Sequence, residues 1–127
     1  MKKIGLITTN KLLAQSLAAS IESYPDLDME THLLLDPHQA ALDAVIFKID
    51  VAVVDVYAGN PKQASSAMHI CEDIRRAVPG CRLLLLVPQA DTPTHDMVMT
   101  AMKHNTIDDY VFCDVSLDYL LTKLLAL

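Results

Sequence analysis

Asp50-Val51-Ala52-Val53-Val54-Asp55 reads as a buried strand that delivers one carboxylate, Asp55, to its carboxyl end. A lone carboxylate there either attracts a cation unaided or accepts hydrogen bonds from loop amides and water. Thr8 and Thr9 close the first apolar run, with Asn10 behind them. Hydroxyls and free N–H groups at a helix start can bind a phosphate or another anion. No glycine follows that strand to let a ligand approach the backbone, and Asp55 would repel an anion. The plainer reading is that Thr9 and Asn10 cap the first helix. Cys113 is the one cysteine placed near the same crevice, without a histidine or base beside it in sequence, so an inert thiol is expected. No nucleophile–base constellation or GxSxG elbow points to a hydrolase.

Composition narrows the partners. The chain has 127 residues, 52% apolar and 20% charged, which fits one domain with a real core and excludes a disordered chain or coiled coil. Its net charge of −6, with only Lys2-Lys3 and Arg75-Arg76 adjacent among the basic residues, argues against direct nucleic-acid binding. Cys71, Cys81 and Cys113 are odd in number and far apart, so neither a disulfide framework nor a CxxC pair forms, and a reducing, cytoplasmic setting is expected. The five histidines, His32, His38, His69, His95 and His104, show no HxxxH or HxH spacing, and no metal site is assigned to them. No apolar run reaches membrane-spanning length, and no signal peptide opens the chain.

Hydrophobic periodicity supplies the elements that position these residues. Residues 3–7, 51–56 and 83–87 are apolar runs suited to interior strands, whereas 27–32 alternates and suits an edge. Residues 11–23 carry Leu13, Leu17 and Ile21 every four residues, with Leu12 and Ala14 beside them. Asp36-Pro37 and Asn60-Pro61 start two further helices, the first running to about Lys48 on a stripe of Ala40, Ala41, Ala44, Val45 and Phe47. Asp91-Thr92-Pro93 starts a fourth. Strand 107–113 follows, and Ser116 caps a last helix with Leu117, Leu120, Leu121, Leu124 and Leu125 on its buried face. Five strand–helix units predict an α/β, flavodoxin-like, doubly wound parallel sheet of five strands in order 2-1-3-4-5 with five helices. Ligand crevices in such sheets lie at the carboxyl ends of the strands. This places Thr8, Thr9, Asp55, Val87 and Cys113 together.

Over essentially its whole length the chain resembles a response-regulator receiver (CheY-like) domain. Lys3-Ile4-Gly5-Leu6-Ile7 resembles the first strand, and Asp50 to Val56 the segment that carries the phosphoacceptor, with Asp55 on that position. Asp108 to Phe112 resembles the approach to the fifth strand, with Tyr110 on the aromatic switch position. The departures lie in the chemistry. The family's acid pair appears as Thr8 and Thr9, its Ser/Thr as Val87, or as Pro88 if the register slips by one, its lysine as Cys113 and the proline after it as Asp114. The loop after Asp55 lacks the family's Met-Pro pair and is about four residues longer. Two threonines offer neutral oxygens to Mg²⁺, Cys113 supplies no ammonium for a phosphoryl oxygen, and Val87 donates no hydrogen bond.

The resemblance and its departures together imply an atypical pseudo-receiver that acts by phosphorylation-independent protein–protein contact. No cofactor is expected, and Mg²⁺ is disfavoured by loss of the acid pair. Receivers often use the face of the fourth helix, fifth strand and fifth helix for effectors and homodimers. Met99, Lys103, Tyr110, Asp118, Thr122 and Lys123 are expected to be exposed there. Residues 1–127 would form one receiver-like domain, the amino-terminal part of a longer regulator with a DNA-binding or ATPase effector, as the helix pattern at Leu124 to Leu127 ends abruptly. Two rival readings stay open: a phosphoacceptor of a two-component system using Asp55, and a small-molecule-binding flavodoxin-like module.

Overall fold

A computed structural model describes the backbone of residues 1–56, 61–87, 92–112 and 116–127, and their side chains apart from 61–65 and 92–94. Five strands, β1 (Lys2–Ile7), β2 (Met29–Leu34), β3 (Val51–Asp55), β4 (Arg82–Val87) and β5 (Asp109–Phe112), form one parallel sheet in order β2-β1-β3-β4-β5. The helices between and after them are α1 (Lys11–Glu22), α2 (Ala40–Ile46), α3 (Pro61–Ala77), α4 (Thr92–Lys103) and α5 (Leu117–Ala126). This is the architecture expected from the alternating periodicity.

The strand alternation sorts the core into two layers. Ala52 and Val54 of β3 and Leu83, Leu85 and Val87 of β4 face Ala40, Ala44, Ala67, Cys71, Ile74, Val98 and Ala101 of α2, α3 and α4. Val51, Val53, Leu84 and Leu86 face Ala18 and Ile21 of α1 and Leu120, Leu121 and Leu124 of α5. Gly5 is needed where β1 passes Ile49 and Leu34, because a Cβ there would lie 3.1 Å and 3.3 Å from their side chains. Buried Cys71 and Cys81 belong to the first layer, and burial raises their thiols to about 12 and about 11, which makes them inert packing groups.

Local signals fix most helix ends. Asn10 Oδ1 accepts from the N–H of Leu13, and Ser116 Oγ accepts from that of Tyr119, so both caps form as expected. Lys2 Nζ donates to the carbonyls of Leu124 and Leu125, at 3.0 and 3.2 Å, and stabilises the carboxyl end of α5. The Asp36-Pro37 start is different. Asp36 caps a 3-10 turn, Pro37–Gln39, and α2 begins only at Ala40. Val45, Phe47 and Leu125, expected on buried faces, are exposed, as is Leu12. Alanines at 40 and 44 suffice to seat α2 on the sheet, which turns the larger side chains outward. Among the described residues no helix is long and apolar enough to cross a membrane.

Candidate functional site

The pairing of β1 with β3 sets Ile7 beside Val54, so the next residues, Thr8 and Asp55, meet at the carboxyl edge of the sheet. Thr8 Oγ1 donates to Asp55 Oδ2 at 2.8 Å and accepts from the N–H of Asn10 at 3.0 Å. Asn10 in turn caps α1. A continuous chain of hydrogen bonds therefore runs from the helix start to the carboxylate. Thr8 is 6% exposed and is the one buried polar side chain among the described residues.

Asp55 is half-buried, and its carboxyl is pushed above its ordinary value by burial, an effect that the Thr8 hydroxyl partly offsets. The linkage follows from that direction. A raised carboxyl contributes stability while protonated, and this is lost as pH rises through its folded value. Asp55→Asn removes the titration and keeps an oxygen to accept from Thr8. The variant is expected to melt above the wild type at neutral pH, and the gap is expected to close as pH falls through the carboxylate range. Thermal melts in a pH series check this; a variant that melts lower at neutral pH would contradict it.

Thr8, Thr9 and Asp55 share a small cavity of about 50 Å³ with Pro37, Ser66 and Ile70. Thr9 itself is exposed and turns towards a wider groove of about 630 Å³ between the 36–38 turn and α3, where Asp36, His38, His69 and Asp73 supply polar groups. The threonines thus diverge, and one of the two engages Asp55. Val87 does not line the cavity. It is buried in the core layer beneath α3 and α4, at the carboxyl end of β4. Cys113 lies outside the described residues. Among the described residues no three His, Cys, Asp or Glu side chains gather to hold a metal, at Asp55 or elsewhere.

The face built by α4, β5 and α5 is more tightly tied than expected. Met99 is not exposed. It is half-buried and packs on the core together with Met97 and Met102, because the flexible thioether chains wrap around the helix flanks. Lys123 is partly covered and bonds Asp109 Oδ2 at 2.7 Å with its ammonium 5.6 Å from the Tyr119 ring, and Asp109 raises its pKa. Tyr110 is half-buried, opposite Leu85 on β4 and edge-on to Phe112 at 5.8 Å. Lys103, Asp118 and Thr122 are exposed, with the Thr122 hydroxyl turned back to the Asp118 carbonyl.

Periodicity gave no warning of Asp108. Its carboxylate accepts from the N–H of Leu83 at 2.8 Å, from Arg75 at 3.0 Å and from Arg82 at 3.3 Å. It joins α3, β4 and the start of β5 at the amino edge of the sheet, far from Asp55. The acidic run Asp108-Asp109 in front of a strand was the available signal.

No protein-family model and no curated protein sequence matches this chain. Solved structures do. A response regulator from Thermotoga maritima superposes with a TM-score of 0.77 at 18% identity, covering 98% of this chain and 94% of its own. A response regulator receiver domain protein from Clostridium thermocellum gives 0.77 at 19% identity, over 96% and 90%. A Burkholderia pseudomallei response regulator, solved with a phosphorylated aspartic acid, calcium ion and citrate, gives 0.73 at 18% identity, over 99% of this chain and 72% of its own. The chain has the fold of a response-regulator receiver domain.

Proposed function

We propose that this chain is a pseudo-receiver, a signalling domain that works through phosphorylation-independent protein–protein contact and not as an enzyme. The observation that carries this reading is the Thr8 hydroxyl bonded to Asp55 where the family places an acid. Phosphoryl transfer to a carboxylate depends on positioning and on charge neutralisation, with Mg²⁺ held by several oxygens. Here a neutral hydroxyl engages one carboxylate oxygen, and burial disfavours the ionised form. These residues do not fit a Mg²⁺ ion, which needs several oxygen ligands of which only one here carries charge.

The partner surface is the exposed part of the α4–β5–α5 face: Lys103, Asp118 and Thr122, with Tyr110 and the Lys123–Asp109 pair between them. Its occupant is a cytoplasmic protein partner or the regulator's own effector domain. The net charge of −6 disfavours nucleic acid.

The rival reading, a phosphoacceptor, is favoured by the place of Asp55 at the carboxyl end of β3. Melting curves with Mg²⁺ and beryllofluoride separate the two. The pseudo-receiver reading expects no shift for the wild type. A saturable, Mg²⁺-dependent rise that Asp55→Asn abolishes would favour the rival.

A further inference from the structure

The two edges of the sheet differ in how they are protected. β5 is short, Asp109–Phe112, and carries the Lys123–Asp109 pair. β2 runs six residues, Met29–Leu34, in unbroken register with β1, and holds neither proline nor lysine. The ladder itself tells which backbone groups of β2 stay open. The Lys2 N–H donates to the Asp28 carbonyl, and the Asp50 N–H to the Lys3 carbonyl, so the even-numbered residues of β1 bond towards β2 and the odd-numbered ones towards β3. With Lys2 set beside Met29, the residues of β2 that bond β1 are Glu30, His32 and Leu34. Met29, Thr31 and Leu33 turn their N–H and C=O groups to the open edge, where no described residue bonds them.

The side chains along this edge suit a second copy of the same strand. A twofold axis at Thr31 would set two β2 strands antiparallel, with Thr31 against Thr31, Met29 against Leu33 and Glu30 against His32. Met29, Thr31 and Leu33 then form the hydrogen-bonded pairs of the new ladder, as their outward groups require. Glu30 and His32 form the other pairs, in which Cα atoms lie about 4.5 Å apart and side chains are closest. Within one chain the Glu30 carboxylate lies 2.8 Å from His32 Nε2, and Phe47 stacks on the imidazole. Across the axis carboxylates and imidazoles alternate, so each His32 stands between two Glu30 side chains. Moving the axis by one residue would oppose Glu30 to Glu30 or His32 to His32, so charge selects a single register. On the other side of the sheet Leu33, 37% exposed, would gain the second copy's Met29 as an apolar neighbour. The edge is thus complementary to itself in backbone bonding, charge and apolarity, as an isologous interface must be.

We infer that β2 is a homodimerisation edge, to which a second copy of this chain adds its own β2 antiparallel about Thr31, extending one sheet through both molecules. This edge lies across the sheet from the α4–β5–α5 face and does not depend on how Asp55 behaves.

Sedimentation equilibrium, paired with amide hydrogen exchange read by NMR at low and high concentration, tests it. The wild type is expected to pass from monomer to dimer as concentration rises, and the Met29, Thr31 and Leu33 amides are expected to gain protection in step. Thr31→Pro deletes the central outward N–H, which β1 does not use, and is expected to stay folded by circular dichroism and to remain monomeric. Glu30→Lys and His32→Glu are each expected to weaken the dimer severalfold, and the two together to restore it. A wild type that stays monomeric at millimolar concentration would overturn the inference and leave the edge to a strand of another protein. A dimer in which the Met29, Thr31 and Leu33 amides exchange as in the monomer, or a double charge exchange that fails to recover, would overturn it equally.

Discussion

Asp108→Ala is expected to destabilise the fold by about 3 kcal/mol, the largest effect of any exchange of a charged residue considered for this chain. The carboxylate is mostly covered and serves three donors at once: the Leu83 N–H, Arg75 and Arg82. Alanine leaves a strand N–H in the sheet interior without an acceptor and leaves the Arg75 guanidinium, itself largely covered, without its counter-charge. The Arg82 contact is more exposed and contributes little. Asp108→Asn keeps an oxygen for Leu83 and loses the charge, so its cost is expected to be about half, on the order of 1.5 kcal/mol. Urea unfolding of the three proteins checks both values. Equal losses in the two variants would assign the whole effect to the ion pair, and no loss in either would remove Asp108 from the account of stability.

Thr8→Val is expected to cost about 2 kcal/mol at neutral pH. Valine fills the space of threonine, so the loss is one of hydrogen bonds alone. The Asn10 N–H loses its acceptor and Asp55 its donor. The second part depends on pH with a fixed sign. The Thr8 hydroxyl lowers the Asp55 carboxyl, so removing it raises a value already raised by burial. The added penalty is absent while Asp55 is protonated in both states and grows as pH rises through its folded value. Chemical unfolding of Thr8→Val, Asp55→Asn and the double variant at acid and neutral pH separates the parts as a double-mutant cycle. A coupling that does not change with pH would contradict the Thr8–Asp55 bond as described.

The fold was legible because every level of the pattern agreed. Apolar strands alternated with helical stripes, and Asn10 and Ser116 marked helix starts that the structure keeps. The Thr8–Asp55 meeting was legible for a related reason: once the strand order is fixed, register alone brings two strand ends together. Other details were hidden from periodicity. Met99 shows why: a helix flank reads as exposed from its position, while burial depends on which neighbours rise to cover it. Val45 and Ile46 look like core residues in any window, and only the seating of α2 on two alanines reveals that they point outward. Asp108 carries no periodic signature, since its partners come from α3 and β4.

The central claim is that Asp55 sits at a phosphoacceptor position without the chemistry to accept phosphate. Intact-mass spectrometry after incubation with acetyl phosphate and Mg²⁺, with Asp55→Asn as control, tests it most directly. The account predicts the unmodified mass for both proteins. A phosphoryl adduct on the wild type that the Asp55→Asn variant lacks would contradict it and establish Asp55 as a working phosphoacceptor.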